Sequence, residues 1–139
     1  MKWHRILKST SGTAAVEFAL VLPFLLLVLL SIIAYGIYLT ASHAIQQVAA
    51  DAARSAVAGY NLTERKKLAQ DYVDRSTLDY AFLDPSAVKV VLTDDKSNSN
   101  QFTVTIQYDA QALPIWGLYT YMLPRKTISK FSTIRVGGT

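Results

Sequence analysis

The stretch from Phe18 to Leu39, FALVLPFLLLVLLSIIAYGIYL, contains no charged residue, and its 22 positions limit the chain more than anything else in it. At about 1.5 Å per residue such a run makes a helix of roughly 33 Å, enough to cross the hydrocarbon core of a bilayer. The cations near it lie on one side: Lys2, Arg5 and Lys8 precede it, and the next after Leu39 is Arg54. That asymmetry predicts a cytoplasmic N-terminus, with a transmembrane helix over residues 13–41 and everything beyond it on the opposite side of the membrane. A secretory signal peptide has a shorter apolar core of about 7 to 15 residues. Release of a secreted domain near Ala44 is therefore the weaker alternative.

One acid, Glu17, interrupts the apolar pattern just before the run. A carboxylate in a bilayer costs roughly 2.5 to 3.5 kcal/mol at the centre and less near an interface, so Glu17 needs a reason. A basic leader, then Gly12-Thr13-Ala14-Ala15-Val16-Glu17-Phe18, then Ala-Leu-Val-Leu-Pro-Phe resembles a type IV prepilin signal. Within that class it is similar to the TadE family of minor pilins, or pseudopilins, of the tight-adherence (Tad/Flp) pilus. The resemblance implies a leader over residues 1–12, cut between Gly12 and Thr13 by a membrane-embedded prepilin peptidase. It also implies that Glu17 meets the N-terminal ammonium of a neighbouring subunit, with Phe18 packing beside it. Opposite charges in a low-dielectric setting favour one axial register of packed helices more than they add net stability. The implied partners are the peptidase, other pilins or pseudopilins and inner-membrane Tad assembly proteins; the implied role is pilus assembly and adhesion. The alternative is an unprocessed single-span anchor presenting a periplasmic binding or adaptor domain.

Pro23 removes a backbone donor from the span and predicts a local kink. Tyr35 and Tyr38 suit an interfacial aromatic belt. Beyond the span, residues 42–59 continue the helix: they are rich in alanine, and Ile45, Val48, Ala49, Ala52 and Ala56 recur at helical spacing, with Gly59 as the C-cap. Residues 60–139 are then a small α+β domain. A second helix is expected from Thr63 or Glu64 to about Ala81, capped by Thr63, paired through Asp71 and Arg75, with Ala69, Tyr72, Val73, Ser76 and Tyr80 inward. Val88 to Thr93, Gln101 to Tyr108 and Lys126 to Val136 read as a three-stranded antiparallel sheet by their alternation. The apolar segment Leu113 to Pro124 holds the candidate subunit contacts Trp116, Tyr119 and Tyr121.

Chemistry is scarce. The 139 residues include no cysteine and two histidines, of which only His43 follows the leader. No Ser-His-Asp arrangement, phosphate-cradling glycine loop or zinc spacing occurs, so neither an enzyme nor a cofactor, small-molecule substrate or metal is expected. The loop Asp94 to Asn100 lacks the central Gly and terminal Glu of a calcium loop. Net charge is +4 with 14 cations, but without Lys2, Arg5 and Lys8 there remain 11 against 10 acids. The basicity belongs to topology, which removes the case for nucleic acid.

Overall fold

The computed structural model describes residues 10–76, 79–94, 100–115 and 125–136. Its first element, α1 (Thr10–Ala56), is one continuous helix of 47 residues, about 70 Å long. Pro23 lies within it without ending it. Its missing N–H removes the usual bond to the Ala19 carbonyl one turn back. The helix starts before the expected boundary at residue 13, since Thr10 and Ser11 are already helical.

A tight turn follows. The Gly59 amide donates to the Ala56 carbonyl (3.1 Å), and the chain reverses into α2 (Leu62–Ser76). The cap of α2 is Asn61 rather than Thr63: Asn61 Oδ1 accepts from the Glu64 amide at 2.8 Å, while Glu64 Oε2 accepts from the Tyr60 amide at 3.0 Å. This reciprocal pattern satisfies donors that the helix start would otherwise leave open. Ala81, expected at the end of this helix, instead stands in a turn. Arg75 also departs from expectation, donating Nε to the Asp71 backbone carbonyl (3.0 Å).

Three strands complete the fold: β1 (Val88–Asp94), β2 (Gln101–Asp109) and β3 (Thr127–Arg135), antiparallel with β2 central. Val90 pairs with Ile106, and Phe102 with Ile134. Alternation along β2 is strict, with Phe102, Val104, Ile106 and Tyr108 fully buried. That buried face meets α1, which crosses the sheet nearest β3, while α2 packs on α1 and reaches β1. The architecture is α+β, as the residue pattern predicts.

The core joins sheet and helix through small side chains. Ala41, Ala49, Ala52, Ala53, Ala56 and Ala69 are fully buried, and the larger Ile45, Val48 and Val73 stand among them. Alanine keeps α1 close to both α2 and the sheet. Coverage of α1 begins earlier than the expected boundary at residue 42, because Ala34 and Ala41 are buried and Tyr38 is only 9% exposed. Tyr38 is therefore a core residue of the domain and not part of an aromatic belt; Tyr35, at 39%, remains outward.

Candidate functional site

Gly12, Thr13, Glu17 and Phe18 occupy the first turns of α1, so the Gly12–Thr13 peptide bond is helical. Thr13 and Glu17 are four residues apart and share a face, one turn from each other. Glu17 is exposed, and its carboxylate has no ion-pair partner among the described residues. Phe18 is exposed too, and so are Val16, Leu20, Val21, Phe24 and Leu25. The segment thus presents large apolar side chains in every direction with nothing of its own chain to cover them. A helix apolar all round needs lipid or other helices about it. α1 is long and apolar enough to cross a membrane, its most apolar stretch is uncovered by the rest of the chain, and this fits a single-pass membrane protein.

At the far end of α1, Asp51 and Arg54 form an ion pair (2.6 Å). Asp51 also accepts from the Tyr72 hydroxyl of α2 at 3.4 Å. Burial first, and then the Asp51 charge, push the Tyr72 phenol above its ordinary value. Between the two charged residues, Ala52 and Ala53 are buried. The Asp-Ala-Ala-Arg run therefore combines a close-packing surface with a polar clip between helices.

A second cluster escaped sequence reasoning. Arg65 lies over the Phe102 ring, 5.1 Å from its centroid, and donates Nε to the Gly59 carbonyl at 3.1 Å. A Cβ on Gly59 would stand 2.7 Å from the Arg65 backbone nitrogen, so only glycine permits this approach. Locally Arg65 stands in a charged run, Glu64-Arg65-Lys66-Lys67, of the kind that faces water. Its contact with Phe102 spans two elements, and no local pattern announces it.

At the other end of the domain, Asp84 caps a 3-10 turn (Pro85–Ala87), accepting from the Ser86 amide and hydroxyl at 2.9 and 2.7 Å. Those bonds hold its carboxyl below the ordinary range. The Asp84 amide donates to the buried Tyr108 hydroxyl (3.2 Å), tying this turn to β2. Trp116, Tyr119 and Tyr121 lie outside the described residues, as does most of the loop Asp94 to Asn100. Among the described residues no three His, Asp or Glu side chains gather as a metal site.

These features define a class: an apolar helix fit to span a membrane, whose far half is built into a small α+β domain. Residues 12–54 match the family described as TadE-like protein. The match opens at Gly12 and closes at Arg54, so it takes in the acid, the apolar run and the alanine-rich continuation. No curated protein and no solved structure gives a significant match.

Proposed function

We propose that this protein is a minor pilin or pseudopilin of a Tad-type pilus, inserted as a prepilin in the bacterial inner membrane with its domain on the periplasmic side. A prepilin peptidase removes residues 1–12, and the mature chain joins other pilins and the Tad assembly proteins through α1 to build the pilus and support adhesion. The protein is a substrate and structural component rather than an enzyme. The observation that carries this reading is the TadE-like match over residues 12–54, which holds Gly12 and Glu17 at the head of an apolar helix that its own domain leaves bare.

The residue roles follow from position. Gly12 is helical, yet glycine weakens a helix by about 1 kcal/mol relative to alanine, so the turn holding the scissile bond unwinds at small cost. Cleavage converts Thr13 into an ammonium one turn from Glu17 on the same face. The carboxylate then has a counter-charge on its own helix and can be offered the same group by a staggered neighbour, which fixes axial register. Phe18 packs beside it. Pro23 supplies a weak point at which the span can bend during transfer from lipid into a filament.

A second reading, an uncut anchor for a periplasmic binding domain, is favoured by the helical state of the Gly12–Thr13 bond. N-terminal sequencing and intact mass of the protein from its native membrane separate the two. A chain beginning at Thr13 is expected; an intact leader would leave the anchor, and a start near Ile45 would mean a released domain and sink the pilus reading. In the processed protein, Glu17→Gln is expected to abolish incorporation into pili while leaving membrane insertion intact.

A further inference from the structure

α1 is bare up to Ile33 and covered from Ala34, and at this transition an open groove of about 370 Å³ runs between helix and domain. Ile33, Gly36, Ile37 and Thr40 line one wall; Phe82 and Pro114 line the other. The volume lies within the range of roughly 300 to 1,000 Å³ usual for small-ligand sites. Its lining offers almost nothing polar. The Thr40 hydroxyl donates to the Gly36 carbonyl at 2.8 Å, one turn back, and so is already occupied. Gly36 is the floor: a Cβ built there meets nothing within 4 Å.

Helix length sets where this groove lies relative to a bilayer. The charge-free run from Phe18 to Leu39 is about 33 Å of helix, which matches a hydrocarbon core of about 30 Å. The helix wall of the groove, Ile33 to Thr40, then lies along the last turns of that run, at the domain-side edge of the hydrocarbon. One of its walls is a continuation of the surface that faces lipid. The loops forming the other wall lie at a single end of the sheet: the Ala110 amide donates to the Lys126 carbonyl at 2.8 Å, and Tyr108 at the end of β2 receives the Asp84 amide. The opposite end of the sheet, with Asn100 bonded to Val136 and Phe102 beneath Arg65, is far along α1.

From this continuity we propose that the groove is a lipid site. It takes a phospholipid acyl chain from the leaflet on the domain's side, between Phe82 and Pro114 on one hand and Ile33, Gly36 and Ile37 on the other. The bound chain seats the domain flush on the membrane surface. Charge does not select the headgroup, because exposed Arg125 and Lys126 share this end with exposed Asp84 and Asp109. The proposal rests on α1 spanning the bilayer, and not on the pilus reading.

The chain has no cysteine, so single cysteines can be labelled cleanly. Bimane is attached in the full-length protein at Phe82→Cys, Val28→Cys in the bare helix, or Asn100→Cys at the distal end. Each is reconstituted in phosphatidylcholine vesicles with or without bromine on the acyl chains. Bromine is expected to quench the label at 82 to an extent similar to that at 28 and to leave the label at 100 unaffected. Adding Gly36→Leu, which fills the groove, is expected to reduce quenching at 82 by roughly half and leave 28 unchanged, since an occluded pocket loses its ligand. Quenching at 28 with none at 82 would overturn the proposal while preserving the span. So would disulfide crosslinking between two copies of the unlabelled Phe82→Cys variant, which would assign the groove to protein. No quenching at 28 would remove the span and the proposal together.

Discussion

Along α1 the described residues up to Ile33 carry one charged side chain, Glu17, whereas those after Ala34 include His43, Gln46, Gln47, Asp51 and Arg54, and the two halves are built for different surroundings. The first half uses Leu, Val, Phe and Ile on every side and leaves most of them exposed; the second buries mainly alanine, with Tyr38, Ile45 and Val48, along one stripe. Lipid tails accept large side chains of any shape, whereas a sheet and a second helix must approach a defined surface at close range. Small side chains on the buried stripe, together with the polar residues that appear on the remaining faces, mark the change of surroundings along this helix.

The contrast is most sharply tested in the domain half. Phe102 is fully buried and carries Arg65 on its face. Phe102→Ala removes both the ring and the cation's partner and should cost about 3–5 kcal/mol. Urea unfolding of the full chain in detergent micelles, followed by near-ultraviolet circular dichroism, would measure it. A loss comparable to that of an exposed surface residue would mean that the sheet does not rest on α1 as described.

A paired experiment addresses the helix itself. Ala52→Leu inserts a branched side chain where no space exists and should destabilise the domain by about 1–3 kcal/mol. Leu26→Ala in the bare half removes as much volume as the first adds, yet should leave domain unfolding within about 0.5 kcal/mol of the parent. Equal effects from the two would erase the distinction between the halves.

Periodicity made most of this legible. The apolar run, the alanine stripe and the strict alternation of Phe102, Val104, Ile106 and Tyr108 are local patterns, and each element appeared where its pattern lay. The Gly12 to Phe18 motif was legible because it is contiguous. What escaped depended on contacts between distant segments. Tyr38 looked interfacial because nothing in its neighbourhood tells that the domain reaches back to Ala34. Arg65 looked solvated because Phe102 is far away in sequence, and the cap moved from Thr63 to Asn61 because the turn after Gly59 sets which side chain faces the open amides.

That turn provides a smaller effect. Gly59→Ala would place a methyl 2.7 Å from the Arg65 backbone nitrogen and 2.8 Å from its Cγ. Because backbone must shift, a loss of about 1–2 kcal/mol is expected in the same urea titration. The bare half of α1 should be untouched, so protease protection of the span in vesicles should not change.

The smallest effect comes from alkali and again concerns only the domain. Burial raises the Tyr108 phenol, partly opposed by the Asp84 amide it accepts from; burial and then the charge of Asp51 raise Tyr72. For both, the folded chain prefers the neutral phenol more than the unfolded chain does. Their contribution is therefore complete below the unfolded value of 10.0 and is lost as pH rises through the higher folded values. Urea midpoints taken from about pH 8 to about pH 11 should fall, and Tyr72→Phe should flatten part of that fall while leaving the neutral-pH midpoint nearly unchanged. The Tyr72 bond to Asp51 is long, at 3.4 Å, so its loss at neutral pH is minor. A wild-type slope no steeper than that of the variant would mean that Asp51 and Tyr72 do not meet, and that α2 is held to α1 by its apolar face alone.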